Sequence, residues 1–272
     1  MTQHPEVKTA VAAPKYLRLR QICLVAQDLD AVVKQLCTTF GVAVCHRDPN
    51  VGKYGLHNAL MPFGNTFVEV VSPLPGKAPD ETAGGRYMQR IGGDCGYMVI
   101  MDQDDVKPFR EHVAAIGVRI ANKLDYPGYQ GTQLHPKDVG GTIMSIGHDA
   151  HGDDIWASWH AAGPAWKDHV RTERVAAIVG VETQSDEPNK LAERWAEVLG
   201  KPVHDDVSGL QVHVDNAKYY FVKPRDGRGE TMSGLDIKVN DRAAILAGAK
   251  QAGLETDGDV VKLCGVRWRL LD

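Results

Sequence analysis

The chain repeats a short grammar, and that repetition limits its folds more than any single residue does. An extended run, Leu17-Arg18-Leu19-Arg20-Gln21-Ile22-Cys23-Leu24-Val25-Ala26, leads into Asp28-Leu29-Asp30, whose carboxylates suit a helix N-cap. Val33, Leu36, Cys37 and Phe40 then fall on one helical face, and Gly41 stops the helix. Residues 42–46, 56–61 and 66–71 read as strands, the last two separated by the turn Pro62-Phe63-Gly64-Asn65. A second unit follows the same order. A strand over 96–101 precedes a helix carrying Phe109, Val113 and Ile116, with strands over 118–124, 131–134 and 141–146. Asp104 to Gly117 spans thirteen residues, as Asp28 to Gly41 does. Two fainter copies start at Val175 and Leu235, with helices ending at Gly200 and Gly253.

Four units of one kind predict an α+β fold built of tandem βαβββ modules in two pairs, each pair forming a curved sheet around a cavity. A single unit cannot bury both faces of its own sheet, so pairing is required. The expected organisation is a disordered arm over 1–15, a site-bearing domain over 16–150, a Trp-rich connector over 151–172 and a degenerate domain over 173–272. The Pro/Gly-rich stretch 72–94 reads as a loop or linker. The connector holds Trp156, Trp159 and Trp166, three of five tryptophans, and is expected to pin the halves together or bury against a second subunit.

Composition narrows the function. A net charge of −4 with 24% charged residues leaves no basic stripe for nucleic acid or an anionic membrane. No apolar run reaches the roughly 18–20 residues of a membrane span, and the first residues lack a secretory signal's apolar core. Five cysteines, odd in number and never spaced CxxC, suit reduced thiols, a cytoplasmic location and no zinc ribbon. The expected partners are a small-molecule substrate and a second copy in a homodimer.

Three stretches resemble the vicinal oxygen chelate superfamily of glyoxalases, methylmalonyl-CoA epimerases, extradiol dioxygenases and bleomycin-resistance proteins: 21–30, 60–73 and 134–146. The resemblance covers 17–148 well and 174–272 as a faded echo. It implies a divalent metal held by four ligands from the first and last strands of paired units. Carried over one by one, those positions are Gln21, Glu69, Tyr97 and Ser145. Only Glu69 keeps the family's residue type; histidine is usual at Gln21 and Tyr97, and glutamate at Ser145. Metal sites need about three N, O or S ligands. The expectation is therefore no metal ligand and no cofactor, a divalent metal with His57 and Glu69 being the alternative. In the second half the corresponding positions fall near Val179, Tyr220 and Ser233, with His213 the only histidine on a strand, so the His/His/Glu iron set of the two-domain dioxygenases is missing.

Strand alternation places Gln21, Cys23 and Val25, His57, Ala59 and Met61, Phe67, Glu69 and Val71, Tyr97, Val99 and Met101, and Ile143 and Ser145 on the cavity face. A carboxylate in such apolar surroundings has a raised pKa and suits acid–base work near neutral pH. Glu69, His57 and Tyr97 are thus the candidate catalytic residues for moving a proton next to a carbonyl, Tyr97 donating to an enolate oxygen. Gln21, Ser145, His135 and Lys137 are the candidate substrate contacts. The stretch 135–141 resembles one in methylmalonyl-CoA epimerases, where Lys137 would meet a carboxylate or phosphate of an acyl-CoA. Three functions stay open: a metal-independent isomerase, epimerase or lyase; a metal-dependent lyase or dioxygenase; and a binding protein of the resistance type. Residues 148–154 have the composition of a metal loop but read as a solvated connector, and 126–129 read as a lid or an ordinary turn.

Overall fold

A computed structural model describes residues 13–272. The expected disordered arm falls almost wholly outside them. Each unit is a strand, a helix and a following run of strands. The first comprises β1 (Leu17–Val25), α1 (Leu29–Phe40), β2 (Leu56–Phe63) and β3 (Thr66–Pro73). The stretch 42–46, expected as a strand, contributes only an isolated bridge from His46 to Leu60. The stretch expected as a linker folds into α2 (Ala83–Ile91), with Thr82 accepting from the Gly85 N–H at its start. The second unit runs β4 (Cys95–Gln103), α3 (Val106–Ala115), β5 (Ile120–Tyr126), β6 (Tyr129–Leu134), the single turn α4 (Pro136–Val139) and β7 (Ile143–Asp149). The third runs β8 (Val175–Gln184), α5 (Pro188–Leu199), β9 (Val203–Asp206), β10 (Gly209–Val214) and β11 (Ala217–Val222). The last runs β12 (Thr231–Val239), α6 (Arg242–Gln251), β13 (Thr256–Asp257), β14 (Val260–Leu263) and β15 (Val266–Leu271).

The units pair as their repetition requires. Two open mixed sheets form, one ordered β2-β3-β1-β4-β7-β6-β5 and the other β13-β14-β15-β12-β8-β11-β10-β9. In each, the first strands of two units lie antiparallel at the centre, and each runs parallel to the last strand of its own unit. Asp28 caps α1 by accepting from Ala31 N–H at 3.0 Å, which contributes about 1 kcal/mol. Asp105 caps α3 by accepting from the Lys107 N–H.

One face of each sheet carries the helices, and those faces share a single apolar core. Ile22, Leu24, Val68, Val70, Val99 and Met101 of the first sheet join Ile178, Val181, Leu235 and Ile237 of the second. α1 packs on α6, and Phe40 and Phe63 lie 4.8 and 5.9 Å from the Trp268 ring. The two halves therefore bury one common interior rather than one core each.

The remaining face of the first sheet is separate. The connector covers one end of it through Trp159, Ala162 and Trp166, packed on Phe67 and Tyr129. Helix α2 covers the other through Tyr87, Met88 and Ile91, packed on Cys23, Val71 and Tyr97. The connector thus folds onto the first half. Among the described residues, no helix is long and apolar enough to cross a membrane.

Candidate functional site

Two β-bulges decide which side chains reach this second face. In β1, Leu19 pairs with Met101 and Gln21 with Ile100, so Arg20 is an extra residue. Arg20 and Gln21 consequently point the same way, with Leu19 and Ile22 in the core behind them. In β4, Cys23 pairs with Met98 and Leu24 with Gly96, which makes Tyr97 the extra residue. Tyr97 and Met98 both join the Cys23 cluster, while Val99 and Met101 turn into the core. The expectation that Val99 and Met101 share a face with Tyr97 is thereby corrected.

The β2–β3 hairpin makes a second correction. Leu60 lies opposite Glu69, Asn58 opposite Val71, and His57 opposite Ser72. Directly opposed residues of an antiparallel pair share a face, and a step of one residue exchanges the faces. Asn58 and Leu60 therefore flank Glu69, whereas Ala59 and Met61 enter the core. His57, half-buried, turns away with Ser72. Asn58 is the residue that alternation counted from His57 passes over. The tight turn at Gly64-Asn65 could have supplied the right register.

Glu69 is the centre of the face. It is 9% exposed, and both of its oxygens accept amide donors. Asn58 Nδ2 donates to Oε1 at 2.6 Å, and Gln21 Nε2 donates to Oε2 at 2.8 Å. Both amides have their orientation fixed by groups that can only donate. Trp159 Nε1–H donates to Gln21 Oε1 at 2.7 Å, and the Asp48 backbone N–H donates to Asn58 Oδ1 at 2.8 Å. Burial pushes the Glu69 carboxyl above its ordinary value of 4.5, and the donors Asn58, Cys23 and Gln21 offset this only in part. The carboxylate keeps acceptor capacity beyond those bonds.

Around Glu69 lie groups that stay neutral. Burial lifts the Tyr97 phenol well above its usual 10.0, with lesser pushes from Cys23, Tyr87 and Glu69. Burial, and then Glu69 itself, does the same to the Cys23 thiol. Tyr87 meets the Tyr97 ring edge-on at 5.2 Å. Ser145 is buried on the same face, between Ile100 and Gln133. Ile100, Ile143, Gln133 and Leu124 are half-buried and form the accessible floor. Residues 49–54 reach across from the β2 edge toward β5: Lys53 Nζ donates to Tyr126 Oη at 3.0 Å, and Asn122 donates to Tyr54 Oη at 3.1 Å. The 126–129 stretch is the β5–β6 hairpin turn, and its Tyr126 helps to form this rim.

His135 and Lys137 are not brought to this group. His135 caps α4 and lies near Arg119; Lys137 is exposed. α4 packs against α5 and β7. A cleft of about 630 Å³ between α3 and α5 includes the core-face residues Leu17 and Ile146 and so opens behind the sheet from Glu69. In the second half, the equivalent face is polar. Glu182 is held by Arg267 at 2.5 Å and by Arg269, and Arg269 also grips Asp236 at 2.5 Å. The expectation that His213 is the only strand histidine of this half is corrected: β9 carries His204, stacked on His213 at 4.2 Å.

The four positions implied for a divalent metal do not fit one. The oxygen of Gln21 is spent on Trp159, and its NH2 end faces Glu69. Both Glu69 oxygens accept N–H groups, Tyr97 is a neutral phenol and Ser145 a hydroxyl. Such a set offers a cation no imidazole and a single carboxylate, which already accepts two N–H groups. Among the described residues, no group of three His, Cys, Asp or Glu side chains is placed to hold a metal.

Comparison with known proteins agrees with the architecture. A family model described as a glyoxalase-like domain matches residues 22–199, more than half of the chain. No curated protein matches. A hypothetical protein from Staphylococcus aureus superposes with a TM-score of 0.64 at 12% identity, over 94% of this chain and 98% of its own. A variant of 4-hydroxymandelate synthase from Streptomyces coelicolor gives 0.63 at 15%, over 90% and 78%. The Mn(II)-bound glyoxalase from Novosphingobium aromaticivorans gives 0.61 at 13%, over 94% and 82%. These likenesses concern the fold, which is that of the vicinal oxygen chelate superfamily. With its paired βαβββ units and the family match spanning the first half and into the second, the chain belongs to the glyoxalase-like domain family.

Proposed function

We propose that the protein is a metal-independent enzyme that moves a proton next to a carbonyl in a small molecule, as an isomerase, epimerase or lyase. The observation that carries this reading is the buried Glu69, fixed by two oriented amides beside a neutral phenol. A carboxylate raised by burial is a competent base and, once protonated, a competent acid. The bound carbonyl carbon's neighbour loses its proton to Glu69, and Tyr97 O–H donates to the oxygen on which negative charge gathers. The apolar floor of Ile100 and Ile143 excludes water from that oxygen. Return of the proton to the other face gives epimerisation; loss of a β-substituent gives elimination. A synthase and a glyoxalase among the structural neighbours support an enzyme on this fold.

The test is exchange of the proton next to the carbonyl, followed by NMR in deuterated water, over a panel of small oxo acids and acyl thioesters. At least one member is expected to exchange, with Glu69→Gln slowing it about 10²–10⁴-fold while binding is kept. Dialysis against a chelator is expected to leave the rate unchanged. Exchange that survives Glu69→Gln, or that is lost with a stoichiometric metal, overturns the reading. A second reading, a binding protein without turnover, is favoured by the satisfaction of both Glu69 oxygens. It predicts that a panel member binds equally well to both proteins and that none exchanges.

A further inference from the structure

The contact that orients Gln21 comes from far along the chain, and its supports are unusually firm. Trp159 is 1% exposed and sits between two anchored neighbours. Asp149 Oδ2 accepts from Ser158 Oγ at 3.0 Å and from His160 N–H at 2.8 Å. The carbonyls ahead of it are held by arginines of β1. Arg18 Nη2 donates to Gly152 O at 2.6 Å, and Arg20 Nη1 donates to Ile155 O at 2.6 Å. Arg18 is bound in turn to the buried Asp102, with N–O distances of 3.0 and 2.6 Å. The bulge that places Arg20 beside Gln21 therefore delivers both the anchor for the connector and the amide that the connector orients.

We propose that Trp159 is a positioning residue for Glu69, its indole N–H fixing which end of the Gln21 amide faces the carboxylate. An amide's two ends are nearly alike in shape, so only its neighbours choose between them. With the indole present, turning Gln21 over sets N–H against N–H and oxygen against oxygen, and loses both bonds. Gln21 can then only donate to Glu69. Without the indole N–H, Gln21 is free to present its oxygen to the protonated acid and accept from it. Trp159 thus removes the arrangement that rewards protonation and keeps the carboxylate available as a base. The other titratable groups around Glu69 are Cys23 on β1, Tyr97 on β4 and Asp48 ahead of β2; the first two stay neutral, and Asp48 is common to every variant below.

The proposal rests on Glu69 as the proton-transfer group, and its test needs no substrate. The Glu69 carboxyl carbon, labelled with ¹³C and assigned by its loss in Glu69→Gln, is titrated in the whole protein. Trp159→Phe keeps an aromatic ring and removes the donor; the Glu69 titration is expected to move up by about one unit, the worth of one hydrogen bond. Gln21→Met removes the relay, and Trp159→Phe added to it is expected to shift nothing further. No shift in the first case, or the same shift with Gln21 absent, overturns the proposal. If Trp159→Phe does not fold, the wild-type protein decides. One of its five indole N–H resonances should follow the Glu69 titration and stop doing so in Glu69→Gln. If no indole follows it, the relay is absent. A coupled titration with turnover intact in Glu69→Gln sinks the catalytic reading alone; abolished turnover without coupling sinks the relay alone.

Discussion

At the scale of single residues, the site turns on one carboxylate and on which neighbours touch it. Asn58 is the sharpest case. It lies one position from His57, yet it alone of the two donates to Glu69. Asn58→Leu removes a donor that holds the carboxyl down and leaves burial unopposed on that side. The base limb of the pH–rate profile is expected to move upward by about one unit, while His57→Ala leaves its position unchanged; kcat/KM measured across pH checks both. Glu69 was legible in the sequence because it keeps the type of the family's residue at its place. The shared face of Gln21, Tyr97 and Ser145 was legible too, since the structure gathers all three on one side of the sheet. Asn58 was within reach of a register count from Gly64-Asn65. Trp159 was not, because nothing local links a connector indole to an amide on β1, 138 residues away.

At the scale of elements, the repeat was the readable signal, since hydrophobic period and helix stops survive divergence. The bulges at Arg20 and Tyr97 were not readable, because an inserted residue leaves composition and average alternation intact while exchanging faces beyond it. Helix α2 was hidden by its glycines, Gly84 and Gly85. Packing overrides their low helix propensity. Gly85 leaves no room for a side chain against the Pro79 carbonyl. The β2–β3 turn also touches the second sheet. Gly64 has φ +63°, and a Cβ there would stand 2.0 Å from the Ala176 carbonyl oxygen. Gly64→Ala is expected to cost about 2 kcal/mol or more, from left-handed strain and the collision together. Gly92→Ala, left-handed but with open space around it, should lose only the strain component. Denaturant melts of the two variants measure the difference.

At the scale of the whole molecule, the halves carry buried acids of opposite behaviour. Glu182 is pushed up by burial, but Arg267 and Arg269 outweigh this and hold its carboxyl below the usual 4.5. Its contribution is therefore present above that value and is lost as pH falls through the lowered one. Glu69 is raised, so its contribution is full below 4.5 and lost as pH rises through its folded value. Stability is expected to climb out of acid as Glu182 ionises, then to fall back as Glu69 does. Urea melts over roughly pH 3–8 read both limbs. Glu182→Gln should flatten the first and Glu69→Gln the second. Two halves of one plan were legible from the repeat. Their common interior was not, because the sequence shows which residues are apolar and not which faces meet. The strap from Gly152 to Trp159 has one last consequence. A fragment ending at residue 150 would keep Glu69, Asn58 and Gln21 but lose the ceiling above them, and its glutamine would be free to swivel. The seam left by the ancient duplication is thus a poor place to divide the gene, since the part that looks self-sufficient borrows its precision from across it.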